Sequence, residues 1–438
     1  MKMTKKSRLA GPASMKPGRL LFLLFLANLL NVYDRVIPGV LVESLRKEFG
    51  FSDIHIGIAG TAFTVVYALM GIPLGRLADS GSRTKVIGFG LIVWSAFTGM
   101  TALATGFVSF VLIRTFVGVG EAACAPAANA LIADMYPPQQ RSKAVGWFML
   151  ALPLGTILAF ASVGVFAEWF GSWRAPFVIA AVPGLLLGAV MIAQPDTFKR
   201  VAKDGTGVVV ARPLRTILSI RTMRWIILTG IGYNFTAYAV GTFMVPLLQR
   251  SYGVEMKSAA LITGGLIGVT GLLTLSVGGW VADRVQQYGP SGRLWLCSVA
   301  MTLGASLMYL ALNTSSVHAF SWLFAAGLGV SYLYIVCIYP SVQELVKPDL
   351  RATAMAVFFA CFYLGGAAFG SAVVGLLSDH FADAARMAEG IAVITEAHRA
   401  IGLKQAMVLA PVAMLVGGLA AAMATRSHAE DVRKVNAI

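Results

Sequence analysis

The chain has 438 residues, of which 57% are hydrophobic and only 13% are charged, and its formal net charge is +15. Soluble domains carry about twice that charged fraction, and here apolar stretches long enough to cross a bilayer recur from end to end. The sequence therefore excludes a soluble fold and predicts an all-α polytopic membrane protein. The positive charge does not indicate nucleic-acid binding, because no basic amphipathic helix or basic patch with interleaved aromatic residues occurs.

Twelve transmembrane helices in two six-helix bundles are predicted. In chain order the spans cover residues 19–45, 54–78, 84–105, 107–135, 141–168, 171–194, 223–250, 256–284, 293–313, 316–346, 351–380 and 402–425. The predicted units are an N-terminal tail (1–18), a first bundle (19–194), a polar basic linker (195–222), a second bundle (223–425) and a C-terminal tail (426–438). Residues 381–400 have weak amphipathic character, which predicts a short surface helix.

Basic residues concentrate in the two tails and in alternate loops. By the positive-inside rule this pattern places both termini in the cytoplasm. The basic N-terminal stretch leads into a span that is too long for a signal-peptide core, and no small-residue cleavage site follows it. We therefore interpret it as a retained tail and expect a monomeric multi-pass protein of a plasma membrane, of the bacterial inner-membrane type.

Four charged residues interrupt apolar spans of the first half: Asp34 and Arg35 in span 1, and Arg114 and Glu121 in span 4. An ionisable group inside a membrane costs about 3 kcal/mol or more, so it usually faces a cavity and has a function. A spacing of seven places Arg114 and Glu121 on one helix face, about 10 Å apart. We hypothesise a switchable network in which Arg114 pairs with a carboxylate and is released by protonation or by an anionic substrate. The alternative is an ion pair that only fixes helix register.

A short loop motif occurs twice, after span 2 and after span 8. The first copy contains Gly75, Leu77, Asp79 and Arg83, and the second keeps Gly279, Asp283 and Arg284. An offset of about 205 residues between the copies indicates an internal duplication of the kind found in secondary transporters. We predict that these residues form a charge latch at the inner ends of the helices; an ordinary solvated turn is the alternative.

These motifs resemble those of the major facilitator superfamily. The family's loop motif matches at Gly75, Leu77, Asp79 and Arg83, although Ser82 replaces its second glycine. The family's fourth-span motif, an arginine followed by spaced glycines, matches Arg114, Gly118 and Gly120. The resemblance implies the twelve-helix fold of that family, transport by alternating access, and a central cavity lined by spans 1 and 4.

A narrower resemblance is to the spinster-like branch, which is associated with lysophospholipids and sphingoid lipids. It rests on segments of spans 1, 4 and 5: Asn31–Arg35, Arg114–Ala122, Pro126, Leu131–Asp134 and Leu152–Gly155. Organic-anion symporters of the same superfamily share a similar aspartate–arginine pair and a Glu-Ala in span 4. The resemblance therefore implies a lipid-like substrate and leaves two alternatives open, a proton-linked symporter of small organic anions and a drug-type exporter. The antiporter motif of span 5 is only partial, so antiport is not inferred.

The second half has lost these charges. At the matching offset, Asp34 and Arg35 become Ala237 and Tyr238. Five residues are predicted to line the substrate cavity: Asn31, Tyr33, Asn234, Tyr238 and Tyr334. One charged wall and one aromatic, apolar wall fit a small amphipathic or anionic substrate and membrane lipid. The alternative is that the tyrosines are packing or membrane-belt residues.

Other classes of function find little support in the spans. No Ser/His/Asp set, histidine cluster or pair of metal-binding acids occurs, so we expect neither an enzyme nor a metal site. A channel would need rings of polar residues or a filter. We expect no cofactor and a proton gradient as the energy source; a non-transporting receptor is the remaining alternative.

Overall fold

A computed structural model describes residues 17–136, 144, 147–195, 213–346 and 351–436 of the chain. These residues contain no β-strand and form twelve helices that are long and apolar enough to cross a membrane. The spans are Pro17–Val40, Asp53–Gly75, Arg83–Thr101, Phe107–Asn129, Trp147–Trp169, Ala175–Ile192, Arg221–Tyr252, Met256–Gln286, Gly292–Leu312, Val317–Glu344, Val357–Ala388 and Glu396–Val435. The predicted all-α, twelve-helix class is confirmed. The N-terminal tail up to residue 16 and linker residues 196–212 lie outside the described residues.

Several spans consist of consecutive helical segments. Span 4 is divided into Phe107–Ala122 and Cys124–Met135, and span 10 into Val317–Ser331 and Leu333–Glu344. Spans 8 and 11 each contain one π-helical turn, Gly265–Val269 and Tyr363–Ala367. The flanking helices are Met256–Gly264, Thr270–Gln286, Arg351–Phe362 and Ala368–Ala388. π-turns of this kind occur frequently at functional sites.

Predicted and observed boundaries differ at several span ends, and at two of them an element was assigned wrongly. Span 1 ends at Val40, and residues Val42–Phe49, which the prediction partly assigned to it, form a separate polar helix. The predicted surface helix 381–400 does not exist as one element, because the span 11 helix continues to Ala388 and a new helix, Glu396–Ala406, leads into the last span. The chain turns between them at Gly390, whose φ of +68° is easily adopted only by glycine. The Thr395 side chain caps the new helix.

The two halves meet along three pairs of spans: 1 with 7, 2 with 11 and 5 with 8. Small residues allow backbones to approach in these seams. A Cβ atom on Gly39 of span 1 would lie 2.7 Å from the carbonyl oxygen of Gly241 in span 7. One on Gly57 of span 2 would lie 2.5 Å from that of Ser371 in span 11. We call the end of the bundle that holds Val40 and Asp53 the outer end and the opposite end the inner end.

At the outer end, an ion pair joins the short helix Val42–Phe49 to the start of span 6. Arg174, before span 6, donates hydrogen bonds of 2.8 and 2.5 Å to the two carboxylate oxygens of Glu48. The Trp173 indole N–H also donates to Glu48. The bonds from Arg174 and Trp173 lower the pKa of Glu48, so this carboxylate stays ionised, and the contact stays intact, well into the acidic range.

Spans 3 and 4 pack backbone to backbone at Gly120, and we predict that Gly120→Ala destabilises the fold. The new Cβ would lie 2.6 Å from the backbone nitrogen of Trp94 and 2.8 Å from the carbonyl oxygen of Gly90. Overpacking of this kind costs about 1–3 kcal/mol. Thermal unfolding in detergent should show a lower midpoint for this variant. The matched control is Gly71→Ala in span 2, where no atom lies within 4 Å of the added Cβ. Equal midpoints in the two variants would contradict the prediction.

Candidate functional site

A cavity of about 380 Å³ lies between the two halves, level with the middle of spans 5, 7, 8 and 11 and with the outer parts of spans 1, 2 and 4. Its walls come from spans 1, 2, 4 and 5 of the first half and from spans 7, 8 and 11 of the second. Most of the lining is apolar, including Phe63, Phe110 and Phe160. Two arginines, Arg35 and Arg114, are the charged residues of the lining. The cavity is therefore an apolar chamber with two positive groups in its wall.

The central ion pair joins Arg35 of span 1 to Glu121 of span 4. The Arg35 Nε atom donates to Glu121 Oε2 at 2.6 Å. The Arg35 side chain is 23% exposed and that of Glu121 is fully buried, so the guanidinium reaches the cavity and the carboxylate lies behind it. The Arg35 guanidinium carbon also lies 4.3 Å from the ring centre of Tyr67, a cation–π contact.

Arg114 does not form the hypothesised ion pair with a carboxylate of the described residues; its contact with Asp34 is to the main chain. Arg114 donates to the main-chain oxygen of Asp34 at 3.4 Å, and its guanidinium forms no ion pair with any carboxylate of the described residues. The Asp34 carboxylate instead accepts a hydrogen bond from Thr98 of span 3. The structure thus brings all four predicted charges together, and Arg35 is the arginine that pairs.

Several polar atoms of this cluster are buried without a hydrogen-bond partner among the described residues. They are Asp34 Oδ1, Arg35 Nη2, Arg114 Nη1 and Glu121 Oε1. Leaving a charged, buried group unsatisfied costs about 1–3 kcal/mol or more, and native structures contain few such groups. Both arginines therefore retain donors for an anion, and both acids retain an acceptor for water or a proton.

Only one of the five predicted cavity residues, Tyr238, lines the cavity. Tyr33 bonds to Ser162 Oγ at 2.8 Å, and Asn234 donates to the Gly230 carbonyl oxygen at 2.9 Å. Tyr334 is buried and stacks on Tyr233, with ring centres 4.1 Å apart. Asn31 is buried one helical turn from Arg35. These four side chains are therefore not part of the cavity lining.

Tyrosines of both halves converge beside Arg35. The ring centre of Tyr363 lies 6.1 Å from that of Tyr67 and 6.4 Å from that of Tyr238. Tyr67 belongs to span 2, whereas Tyr238 and Tyr363 belong to spans 7 and 11, so this contact crosses between the halves. The sequence analysis missed Tyr67 and Tyr363. Their signal was a tyrosine one turn inward of Phe63 and another beside Gly365 and Gly366.

The two copies of the predicted latch have different surroundings. A Cβ on Gly75 would touch Pro126 at 3.6 Å, an ordinary contact; the Asp79 side chain lies outside what the structure describes, and Arg83 begins span 3. In the second copy Asp283 accepts from Arg293 at 2.7 Å, and Arg293 also donates to Glu344 at 2.6 Å. This copy thus joins the inner ends of spans 8, 9 and 10. Arg284 lies over Trp280, 5.7 Å from its ring centre, and Gly279 faces open space.

A further charged cluster at the outer end was missed. Arg250, at the end of span 7, bonds Asp53 at 2.6 and 2.8 Å and Glu43 at 2.7 Å. Arg46 bonds Glu43 and also bonds Glu396, the first residue of span 12. Burial lowers the pKa of Arg46, but the charge of Glu43 and the bonds to Glu43 and Glu396 raise it above its ordinary value, so Arg46 stays charged. The sequence did contain a signal for this cluster, because an acid or an arginine stands at the outer end of several helices.

Comparison with known proteins gives the family. The sequence model of the Major Facilitator Superfamily matches residues 24–371. An MFS-type efflux pump of Mycolicibacterium smegmatis is 30% identical over 82% of this chain and 84% of its own length. Protein spinster homolog 1 of Xenopus tropicalis is 26% identical over 82% and 72%, and a hexuronate transporter of Bacillus subtilis 25% identical over 84% and 90%.

A solved structure agrees with these sequence matches. It is the crystal structure of a bacterial homolog of the human lysosomal transporter Spinster in an inward-facing, unoccupied conformation. It has 25% sequence identity and a TM-score of 0.85, covering 96% of this chain and 99% of its own. The chain belongs to the Major Facilitator Superfamily, and the predicted resemblance to spinster-like proteins is confirmed. It is a multi-pass membrane transporter of a small substrate.

We predict strong energetic coupling between Arg35 and Glu121. Arg35→Met leaves the Glu121 carboxylate buried and unpaired, which should cost about 3–5 kcal/mol. The double variant Arg35→Met, Glu121→Leu should recover most of this loss, because it removes both charges. Unfolding of the four proteins of this cycle in detergent measures the coupling. The half-exposed pair Arg174–Glu48 is the control and should give a coupling below about 1 kcal/mol. A coupling equally small at Arg35–Glu121 would contradict the prediction.

Proposed function

We propose that this transporter works by alternating access, is coupled to protons and moves a single-chain anionic amphipathic lipid of the lysophospholipid or sphingoid phosphate type. We place it in a bacterial inner membrane with both termini in the cytoplasm, since the basic residues concentrate in the tails and in alternate loops. The proton gradient is the proposed energy source.

The observation that carries the proposal is the composition of the cavity wall. Arg35 and Arg114 face an otherwise apolar chamber, and the two acids lie behind them. An arginine guanidinium binds phosphate or carboxylate groups through two parallel hydrogen bonds, and both side chains retain a nitrogen without a partner. The rings of Phe63, Phe110 and Phe160 offer an apolar surface for the lipid chain.

Coupling follows from competition for Arg35. The guanidinium bonds Glu121 when that acid is ionised, so an incoming anion must compete with a buried carboxylate. A proton on Glu121 weakens the pair and frees Arg35 for the substrate. By thermodynamic linkage, the bound anion in turn favours protonation of Glu121. Asp34, bonded to Thr98 with its second oxygen unpartnered, is the second candidate proton site.

Two relatives favour other substrates. The likeness to a hexuronate transporter supports a proton-linked symporter of small organic anions, for which the two arginines are equally suitable. The likeness to an efflux pump supports a drug-type exporter. The lining separates these candidates: a sugar acid would need free hydrogen-bonding groups for its hydroxyls, whereas in the second half the Thr242 and Ser371 hydroxyls already bond each other at 2.8 Å. The lipid-like substrate therefore fits best.

We predict pH-dependent flux of lipid anions in proteoliposomes. Purified protein should transport lysophospholipid or sphingoid phosphate faster with an imposed pH gradient than without one. Hexuronate and other small organic acids, assayed in parallel, should move much more slowly. Flux of only the small acids would support the second candidate instead, and flux of neither class in vesicles that retain their pH gradient would count against both.

We predict that Glu121→Gln abolishes the pH dependence of transport. The amide cannot exchange a proton but still accepts a hydrogen bond from Arg35, so the variant should fold and retain gradient-independent exchange of substrate. Glu430→Gln, at an exposed inner helix end, is the matched control and should keep the wild-type pH profile. An unaltered profile in both Glu121→Gln and Asp34→Asn would exclude these acids from coupling.

A further inference from the structure

The sequence at the outer end of span 11 repeats the loop motif found at the inner end of span 2. Gly375, Leu377 and Asp379 occur at the same spacing as Gly75, Leu77 and Asp79. Span 5 ends in a related pattern of glycine, large hydrophobic residue and acid, the segment 164–168. Spans 2 and 8 thus carry the pattern at their inner ends, and spans 11 and 5 carry it at their outer ends.

In span 11 the acid caps a helix of the other half. The two oxygens of Asp379 accept hydrogen bonds from the backbone N–H groups of Asp53, at 3.1 Å, and Ile54, at 2.9 Å. These N–H groups lie in the first turn of span 2, where the helix leaves its donors unpaired and its dipole favours a negative charge. A second-half carboxylate therefore completes a first-half helix.

The glycine makes this approach possible. A Cβ atom on Gly375 would overlap the carbonyl oxygen of Asp53. The same seam continues inward, with one contact per helical turn. A Cβ on Gly57 would lie 2.5 Å from the Ser371 carbonyl oxygen, and the Thr61 hydroxyl donates to the carbonyl oxygen of Ala368. Spans 2 and 11 are therefore in close contact from the outer end to the level of the cavity.

A buried charge strengthens the same contact. Ser378 donates to the Asp53 carboxylate at 2.6 Å, and Arg250 bonds that carboxylate through both terminal nitrogens. The Arg250 side chain is only 2% exposed, so the loss of Asp53 would leave this buried charge with Glu43 as its one remaining acid partner among the described residues. Asp53 thus has ties to two helices of the second half, spans 7 and 11.

The span 5 copy makes a weaker version of the contact. A Cβ on Gly164 would lie 3.3 Å from Lys257 Cα, in the first turn of span 8. The acid of this copy, Glu168, lies 3.8 Å from Lys257 Nζ, and both side chains are about half exposed. The end of span 11 thus contacts the start of span 2, and the end of span 5 contacts the start of span 8. Both contacts cross the boundary between the halves.

We infer that the segments 375–379 and 164–168 form an outer latch, the inverted counterpart of the two inner loop motifs, with Asp379 as its main grip. The latch holds the outer end shut in the conformation described. For the cavity to open outward, spans 2 and 11 must separate at this end, which breaks the Asp379 cap. The balance between the outer latch and the inner loops then sets the population of the two conformations.

The test is a distance measurement by pulsed electron resonance in the full-length protein. Spin labels at residues 103 and 315, exposed outer-end positions in opposite halves, are attached in a background lacking the four native cysteines. We expect Asp379→Ala to raise the ratio of outer-open to outer-closed molecules about tenfold or more, since two hydrogen bonds to a charge are lost. An unchanged distance distribution would overturn the inference.

Two further variants separate the latch from general destabilisation. Asp383→Ala lies one turn further along the same helix, where the acid bonds Arg386 within the second half, and it should leave the distances unchanged. Gly375→Ala retains every charge and should shift the population in the same direction as Asp379→Ala by wedging the seam apart. If Asp383→Ala opened the outer end as much as Asp379→Ala, or if Gly375→Ala had no effect, the latch would be rejected. The readout needs no substrate, so it is independent of the proposed lipid transport.

Discussion

The buried pair between Arg35 and Glu121 is the interaction on which the arrangement of the cavity depends. It joins spans 1 and 4, leaves the guanidinium at the cavity wall and keeps the carboxylate out of it. A pair of this kind contributes little net stability, because desolvation offsets most of the attraction, but the loss of one partner is costly. The spans are therefore constrained to keep both charges or to replace one of them by a proton or a ligand. This constraint makes the site responsive to its contents.

The two halves of the molecule have divided the chemistry between them. The first half supplies the charges, whereas the second supplies tyrosines and aliphatic side chains at the matching positions. Tyr67, Tyr238 and Tyr363 mark the place where the two sets meet, because they lie around Arg35 and belong to both halves. Any rocking of one half against the other changes the surroundings of that guanidinium. The proposed protonation of the acid and a movement of the halves would thus both act on the Arg35 side chain.

Much of the fold and part of the site could be predicted from the sequence. Hydropathy fixed the twelve spans, because a bilayer demands long apolar helices, and the cost of burying charge identified Asp34, Arg35, Arg114 and Glu121. The ion pairing of these charges could not be predicted. A spacing of seven places Arg114 and Glu121 on one helix face, but it does not show that Glu121 pairs with Arg35 of span 1. Tyr33 and Asn234 were predicted in the wall, but the sequence pattern did not give the rotation of their helices, and both side chains form hydrogen bonds away from the cavity. The turn at Gly390, which divides the predicted surface helix, depends on a positive φ angle that the residue composition of this segment does not reveal.

The ending shared by spans 2, 8, 5 and 11 shows that the smallest repeated unit of the chain is three spans long. Each half then contains one unit in each orientation, as in transporters with inverted-topology repeats. A membrane protein built in this way has an approximate equivalence between its two faces, so its two extreme conformations resemble each other with the faces exchanged. The inner closure of the outward-open form can accordingly be drawn from the contacts of Gly375 and Asp379 by assigning them to Gly75 and Asp79. The residues that close the outer end in one conformation therefore show which residues should close the inner end in the other.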